Sequence, residues 1–242
     1  MASKNPIVSN SESFVKSYMA RFDPSHDWLH VDRVRNTAIH IASNPSSRQP
    51  CDLDIVELAA LFHDVADAKY VSPDGPKKTG GEIVTEFLAG LGYDAEKTAT
   101  VARVVDNIGF RKELGWKETD DEEFRRWREE CAELHAVQDA DKLDAIGAFG
   151  ILRCAAFSGA KNHALYVPND APMENMTQEQ YEGRSRSGTG SAINHFYEKL
   201  FLLKSMMRTP IGYQMAEERD AYMREFIRQI EREFKVEVCA EK

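Results

Sequence analysis

L-A-A-L-F-H-D-V-A-D-A-K, residues 58–69, ends a nearly apolar run with a His-Asp pair, His63–Asp64. The run lacks strand-like alternation and reads as a helix over about 53–65. An adjacent His-Asp pair near a helix end lets both side chains reach one ion. Two further stretches supply partners. H-D-W-L-H-V-D-R-V-R (26–35) carries His30, with Val34, Thr37 and Ile41 at helical spacing on the same face. V-Q-D-A-D-K-L-D-A-I-G-A (137–148) carries Asp139 and Asp141, which point to nearly opposite sides of a helix. Two imidazoles and two carboxylates form a mixed nitrogen and oxygen set. Such a set suits Mn²⁺, Fe²⁺, Co²⁺, Ni²⁺ or Zn²⁺ better than Ca²⁺ or Mg²⁺ alone. The last ligand, Asp139 or Asp141, is left open by spacing.

Outward from these stretches the chain reads as all-α. Ser11 is placed to cap a first helix carrying Phe14, Val15, Tyr18 and Met19. Pro24-Ser25 opens a second that runs to about Ala42, and N-P-S-S-R-Q-P (44–50) breaks the chain. Helices over about 79–91, ended by Gly92, and 95–110 follow. Residues 117–130 are highly charged and read as a solvated helix or flap; Trp116 and Trp127 leave a lid open. A further helix starts near Glu133 and is expected to carry Asp141, Ile146, Phe149 and Ile151. Residues 159–190 are polar and aperiodic, a loop long enough to be functional or disordered. Two last helices, about 191–207 and 212–234, flank T-P-I-G. One domain spanning 1–242 is expected: a core of about 11–157, the loop 159–190, and C-terminal helices 191–234 packed on the core.

Composition excludes several classes. A net charge of −9 argues against binding polymeric nucleic acid, which needs a basic surface. It leaves room for a small phosphorylated ligand held by a few cations. No apolar run reaches the ~18 residues of a membrane span. Cys51, Cys131, Cys154 and Cys239 lack C-x-x-C spacing and read as free thiols in a reducing compartment. The first residues, M-A-S-K-N-P-I-V-S-N, lack an apolar signal core, so the expected location is cytoplasmic, with the nucleus open. No phosphate-binding G-x-x-x-x-G-K-[ST] or nucleophile G-x-S-x-G element is present, and G-T-G-S-A-I (188–193) follows no strand.

The order His … His-Asp … Asp resembles the HD superfamily of metal-dependent phosphohydrolases. H-D-W-x-H-x-x-R-V-R, L-A-A-L-x-H-D-V-x-D and Q-D-A-D-K-L-D-A-I-G-A look like its small stand-alone members that act on nucleotides, and the likeness runs from about residue 10 to 232. The resemblance implies an HD-domain fold and a ligand set of His30, His63, Asp64 and Asp141, since the superfamily's last ligand sits in an Ala-Asp-Lys/Arg-Leu element. Asp139 and Asp144 then support or cap. It implies one divalent ion, Mn²⁺ before Ni²⁺, Co²⁺, Fe²⁺, Zn²⁺ or Mg²⁺. Members with two metals carry extra histidines before the last Asp, whereas here 101–112 has none and His135 lies too near Asp141. It implies hydrolysis of a nucleoside triphosphate to monophosphate and pyrophosphate through attack by a metal-bound water. A nucleoside monophosphate phosphatase and a non-catalytic nucleotide-binding module are the rival readings. A di-iron oxygenase would need more histidines. A homodimer is left open.

Around this set, Asp67 lies one turn beyond Asp64, where related hydrolases carry an acid that orients or deprotonates the attacking water; general-base work needs that reach. His26 borders His30 and reads as a substrate contact or as helix capping and packing. Arg33 is placed to clamp a phosphate or to pair with a helix carboxylate. Lys69, and His195 with Lys199 in the family-like A-I-N-H-F-Y-E-K-L-F-L-L-K (192–204), are candidate phosphate contacts or packed and solvated groups. Lys77, Lys78, Arg184 and Arg186 stand in flexible segments and read as polyphosphate contacts or solvated charges.

Overall fold

The computed structural model describes residues 5–45, 50–65, 78–173, 176–187 and 190–237. These hold twelve α-helices, a 3-10 helix over 200–206 and no strand. The helix carrying the His-Asp pair is central. α3 (Leu53–Phe62) is capped by the Asp52 carboxylate and buries every residue from Ile55 to Phe62 except Glu57. A helix apolar on nearly all sides must be enclosed, and α3 is packed by α1 (Pro6–Met19), α2 (Trp28–Ala42), α5 (Ala95–Asp106) and α8 (Ala132–Asp144).

α1 begins five residues before the expected Ser11 cap. Asn5 Oδ1 accepts the Ile7 N–H at 3.0 Å and Pro6 occupies the first turn, where its missing donor costs nothing. Ser11 is buried within the helix, on a stripe with Val8, Val15 and Met19 that starts before it. α2 begins at Trp28, later than Pro24-Ser25, because Asp27 accepts the His30 N–H at 2.9 Å and caps it. His26 therefore lies in the turn ahead of α2. α4 (Gly80–Gly90) starts with a capping box of Thr79 and Glu82 and pairs with α5. Gly81 approaches so closely that its N–H bonds Asp106 Oδ1 at 2.9 Å, and an added Cβ would meet that carboxylate at 2.3 Å.

After α6 (Phe110–Leu114), the charged segment forms α7 (Glu122–Glu130), with no buried residue. Charge and aromatic contacts dock it: Arg103 of α5 lies 4.1 Å over the Trp127 ring, and His135 Nε2 lies 2.8 Å from the Arg128 carbonyl.

The single helix expected from Glu133 through Ile151 is two. α8 ends at Asp144, and α9 (Gly147–Ala160) leaves at 69°. Gly147 has φ +75°, a left-handed conformation open to glycine, and the Arg219 side chain packs where a Cβ would sit. Within the expected loop 159–190, Gln178–Ser187 is helical (α10). Its sequence has no apolar period. One buried ring, Tyr181, holds it against Phe110 at 5.2 Å. α11 (Ala192–Glu198), the 3-10 helix and α12 (Pro210–Lys235) complete the fold, with α12 lying on α8 and α9. No single described helix is long and apolar enough to cross a membrane.

Candidate metal centre

Three helix ends meet at one point. His30 is in the first turn of α2, His63 and Asp64 directly follow α3, and Asp141 is in the last turn of α8. The carbonyl-rich ends of α3 and α8 both favour a cation there. His30 Nε2 lies 3.1 Å from His63 Nε2 and 3.2 Å from Asp64 Oδ2. His63 Nε2 lies 3.5 Å from Asp64 Oδ2, and Asp141 Oδ1 stands 3.9 Å and 3.8 Å from the two nitrogens. Donors about 2.0–2.2 Å from one ion stand about 3–3.6 Å apart in tetrahedral or octahedral arrangements. The three separations among His30, His63 and Asp64 match that spacing, and Asp141 Oδ1 stands a few tenths of an ångström beyond it.

Tautomers explain why these groups converge. His63 Nδ1 is 2.8 Å from the Ala60 carbonyl, which can only accept, so Nδ1 carries the proton. His30 Nδ1 is 2.7 Å from Asp144 Oδ2 and likewise donates. In the neutral rings both Nε2 atoms then bear lone pairs, and they face each other without a hydrogen to share. Asp64 Oδ2, aimed at both, is buried with no hydrogen-bond partner. Three acceptors turned on one point fit a divalent cation. The electrostatics favour positive charge at this point. Burial and Arg153 push His30 down, but the carboxylates of Asp144 and Asp64 outweigh them and hold it above its ordinary value. Burial pushes Asp64 up, yet His63 and His30 outweigh it and hold that carboxyl well below the carboxylate range.

The two rival aspartates separate. Asp141 faces the histidines. Asp139 is fully buried and accepts the N–H groups of Arg208 and Thr209, each at 2.8 Å, and the Thr209 hydroxyl at 2.7 Å. Asp144 supports His30. Arg33 gives two hydrogen bonds to Asp144, Nε to Oδ1 at 2.7 Å and Nη2 to Oδ2 at 3.0 Å, while its guanidinium stacks over Phe149. His26 borders the centre, its ring 5.9 Å from His30 and 6.2 Å from Phe157, with Nδ1 2.8 Å from Ser25 Oγ. Lys199 closes α11, its Nζ 5.4 Å from the Phe110 ring, and its N–H donates to the His195 carbonyl. Lys78 pairs with Glu86, and Arg184 with Glu198. Asp67, Lys69, Lys77 and Cys239 lie outside the described residues, as does the Arg186 side chain. Sequence reasoning missed Arg153, whose Nη1 stands 3.3 Å from Asp144 Oδ2. It sits on a different helix, with no local spacing to reveal it.

Residues 28–146, which span all four converging side chains, match the HD domain family. YpgQ of Bacillus subtilis is 35% identical over 222 residues, covering 91% of this chain and 90% of its own. The chain belongs to the HD-domain family. Among solved structures of this fold, one from Lactobacillus plantarum superposes with a TM-score of 0.76 at 30% identity, covering 98% of this chain and 100% of that one. YpgQ in complex with ADP gives 0.67 at 32% identity, covering 93% and 97%. An HD-superfamily hydrolase from Bacillus thuringiensis gives 0.64 at 32%, covering 94% and 96%. The HD-domain chain is thus similar to a hydrolase and to a protein seen with a nucleotide.

Proposed function

We propose that this HD-domain protein is a metal-dependent phosphohydrolase acting on nucleotides, taking a nucleoside triphosphate to the monophosphate and pyrophosphate. The observation that carries the reading is the pair of facing Nε2 lone pairs with the unpartnered Asp64 oxygen as the third corner of a triangle. His30, His63, Asp64 and Asp141 hold one divalent ion, Mn²⁺ first among the candidates. Such an ion lowers the pKa of bound water and offsets charge on a phosphoryl group. Asp67, three residues beyond Asp64, is assigned to orient the attacking water and accept its proton. His26, at the rim, contacts the substrate; Lys69, His195 and Lys199 are the candidate cations for its phosphates. YpgQ's complex with ADP supports a nucleotide ligand, and the triphosphate choice rests on resemblance to the small nucleotide hydrolases.

The test is turnover by metal-stripped protein given Mn²⁺ and a panel of nucleoside tri-, di- and monophosphates, with products separated by chromatography. Pyrophosphate from triphosphates, abolished in His63→Ala, is expected. Orthophosphate from monophosphates would make the protein a nucleotidase. Nucleotide binding without turnover would make it a binding module.

A further inference from the structure

We propose that Asp144, held by Arg33 and Arg153, is the positioning residue that fixes the direction and tautomer of His30, so that these two arginines govern metal affinity instead of binding phosphate. The inference rests on the metal reading of the site. Asp144 is buried, and both its oxygens are engaged. Oδ2 meets His30 Nδ1 at 2.7 Å, Arg33 Nη2 at 3.0 Å and Arg153 Nη1 at 3.3 Å, and Oδ1 takes Arg33 Nε at 2.7 Å. Both lone pairs of Oδ2, the oxygen that faces His30, are thus engaged and none is left there to offer an ion. Its work is to take the Nδ1 proton of His30 in a hydrogen bond and leave Nε2 aimed at the metal.

The two ligand histidines are held differently. His63 is fixed by a main-chain carbonyl of its own helix, that of Ala60, which no substitution removes. His30 is fixed by a side chain from α8, and that side chain is fixed by one arginine on α2 and one on α9. Arg153 is itself anchored, with Nε donating to the Ser25 carbonyl at 2.7 Å. Arg33 is braced by the Phe149 ring at 4.2 Å. Three helices therefore converge on one carboxylate behind the metal ligand. The Nε–Nη2 edge of Arg33 is occupied by Asp144, so a phosphate cannot take that edge in the same bidentate grip.

Titration of metal-free protein with Mn²⁺, following the free-ion electron paramagnetic resonance signal, reads this without turnover. Asp144→Asn is expected to weaken Mn²⁺ binding about 10–100-fold, the usual cost of losing a partner behind a ligand histidine. Arg33→Met and Arg153→Met, which keep the apolar stem, are expected to weaken it by a smaller factor. At saturating Mn²⁺, Arg33→Met is expected to leave the substrate KM near that of the wild type. Circular dichroism checks that each variant is folded, and the methionine variants keep the test open should Asp144→Asn fail to fold. Wild-type affinity in Arg33→Met and Arg153→Met, or a raised KM in Arg33→Met with unchanged Mn²⁺ affinity, would overturn the proposal. Absence of Mn²⁺ binding in the wild type would instead remove the metal reading itself.

Discussion

Asp139 and Asp141 are two residues apart on α8, and the helix turns them to different tasks. Asp139 ties the start of α12 to the core through three hydrogen bonds. Removing it leaves three partly buried donors without this acceptor, each costing about 1 kcal/mol, the low end for an unpaired group. Asp139→Ala is therefore expected to lose about 3 kcal/mol of stability in urea unfolding, with folded protein still binding Mn²⁺. Asp141→Asn is expected to do the reverse: near-normal unfolding and a loss of metal binding of at least tenfold. Equal effects of the two on both readouts would show that α8 is not divided in this way. The sequence spacing could say only that the two point apart. Family resemblance made the choice of Asp141, and the hydrogen bonds of Asp139 supply its physical reason.

At the scale of elements, the break between α8 and α9 sets the site. Gly147 takes a left-handed turn that swings α9 back, bringing Arg153 behind His30. A side chain there costs of order 1–3 kcal/mol in backbone strain and would press on Arg219. Gly147→Ala is expected to lower the thermal midpoint and to weaken Mn²⁺ binding, because Arg153 would be displaced. A stability loss with unchanged metal affinity would mean α9 does not position the centre. The break also marks the limit of what the sequence disclosed. A stop with a short reach was legible: Gly92 after α4. The convergence of His30, His63 and Asp141 was legible because each sits in, or directly after, its own apolar-flanked helix. Arg153 was not, because a left-handed glycine redirects the chain without altering the 3.6-residue pattern on either side. α10 was not, because a single buried tyrosine carries no period.

Across the whole molecule, three thiols sit in separate parts of the chain, and burial raises each in the same direction. Cys51, Cys131 and Cys154 are each pushed up to about 11 from 9.0. The folded state keeps these protons longer than the unfolded chain. Stability is therefore intact below about pH 9 and falls as the pH rises towards 11. Thermal midpoints measured from pH 8 to 11 are expected to fall less steeply in a Cys51→Ala, Cys131→Ala, Cys154→Ala variant than in the wild type. Parallel slopes would contradict a burial-raised set. The larger organisation is a helical shell around α3 that delivers four side chains to one point. The most direct measurement of that claim is anomalous diffraction from crystals soaked in Mn²⁺. One peak is expected, within about 2.0–2.3 Å of His30 Nε2, His63 Nε2, an Asp64 oxygen and an Asp141 oxygen. A peak elsewhere with none between these four groups would contradict the account.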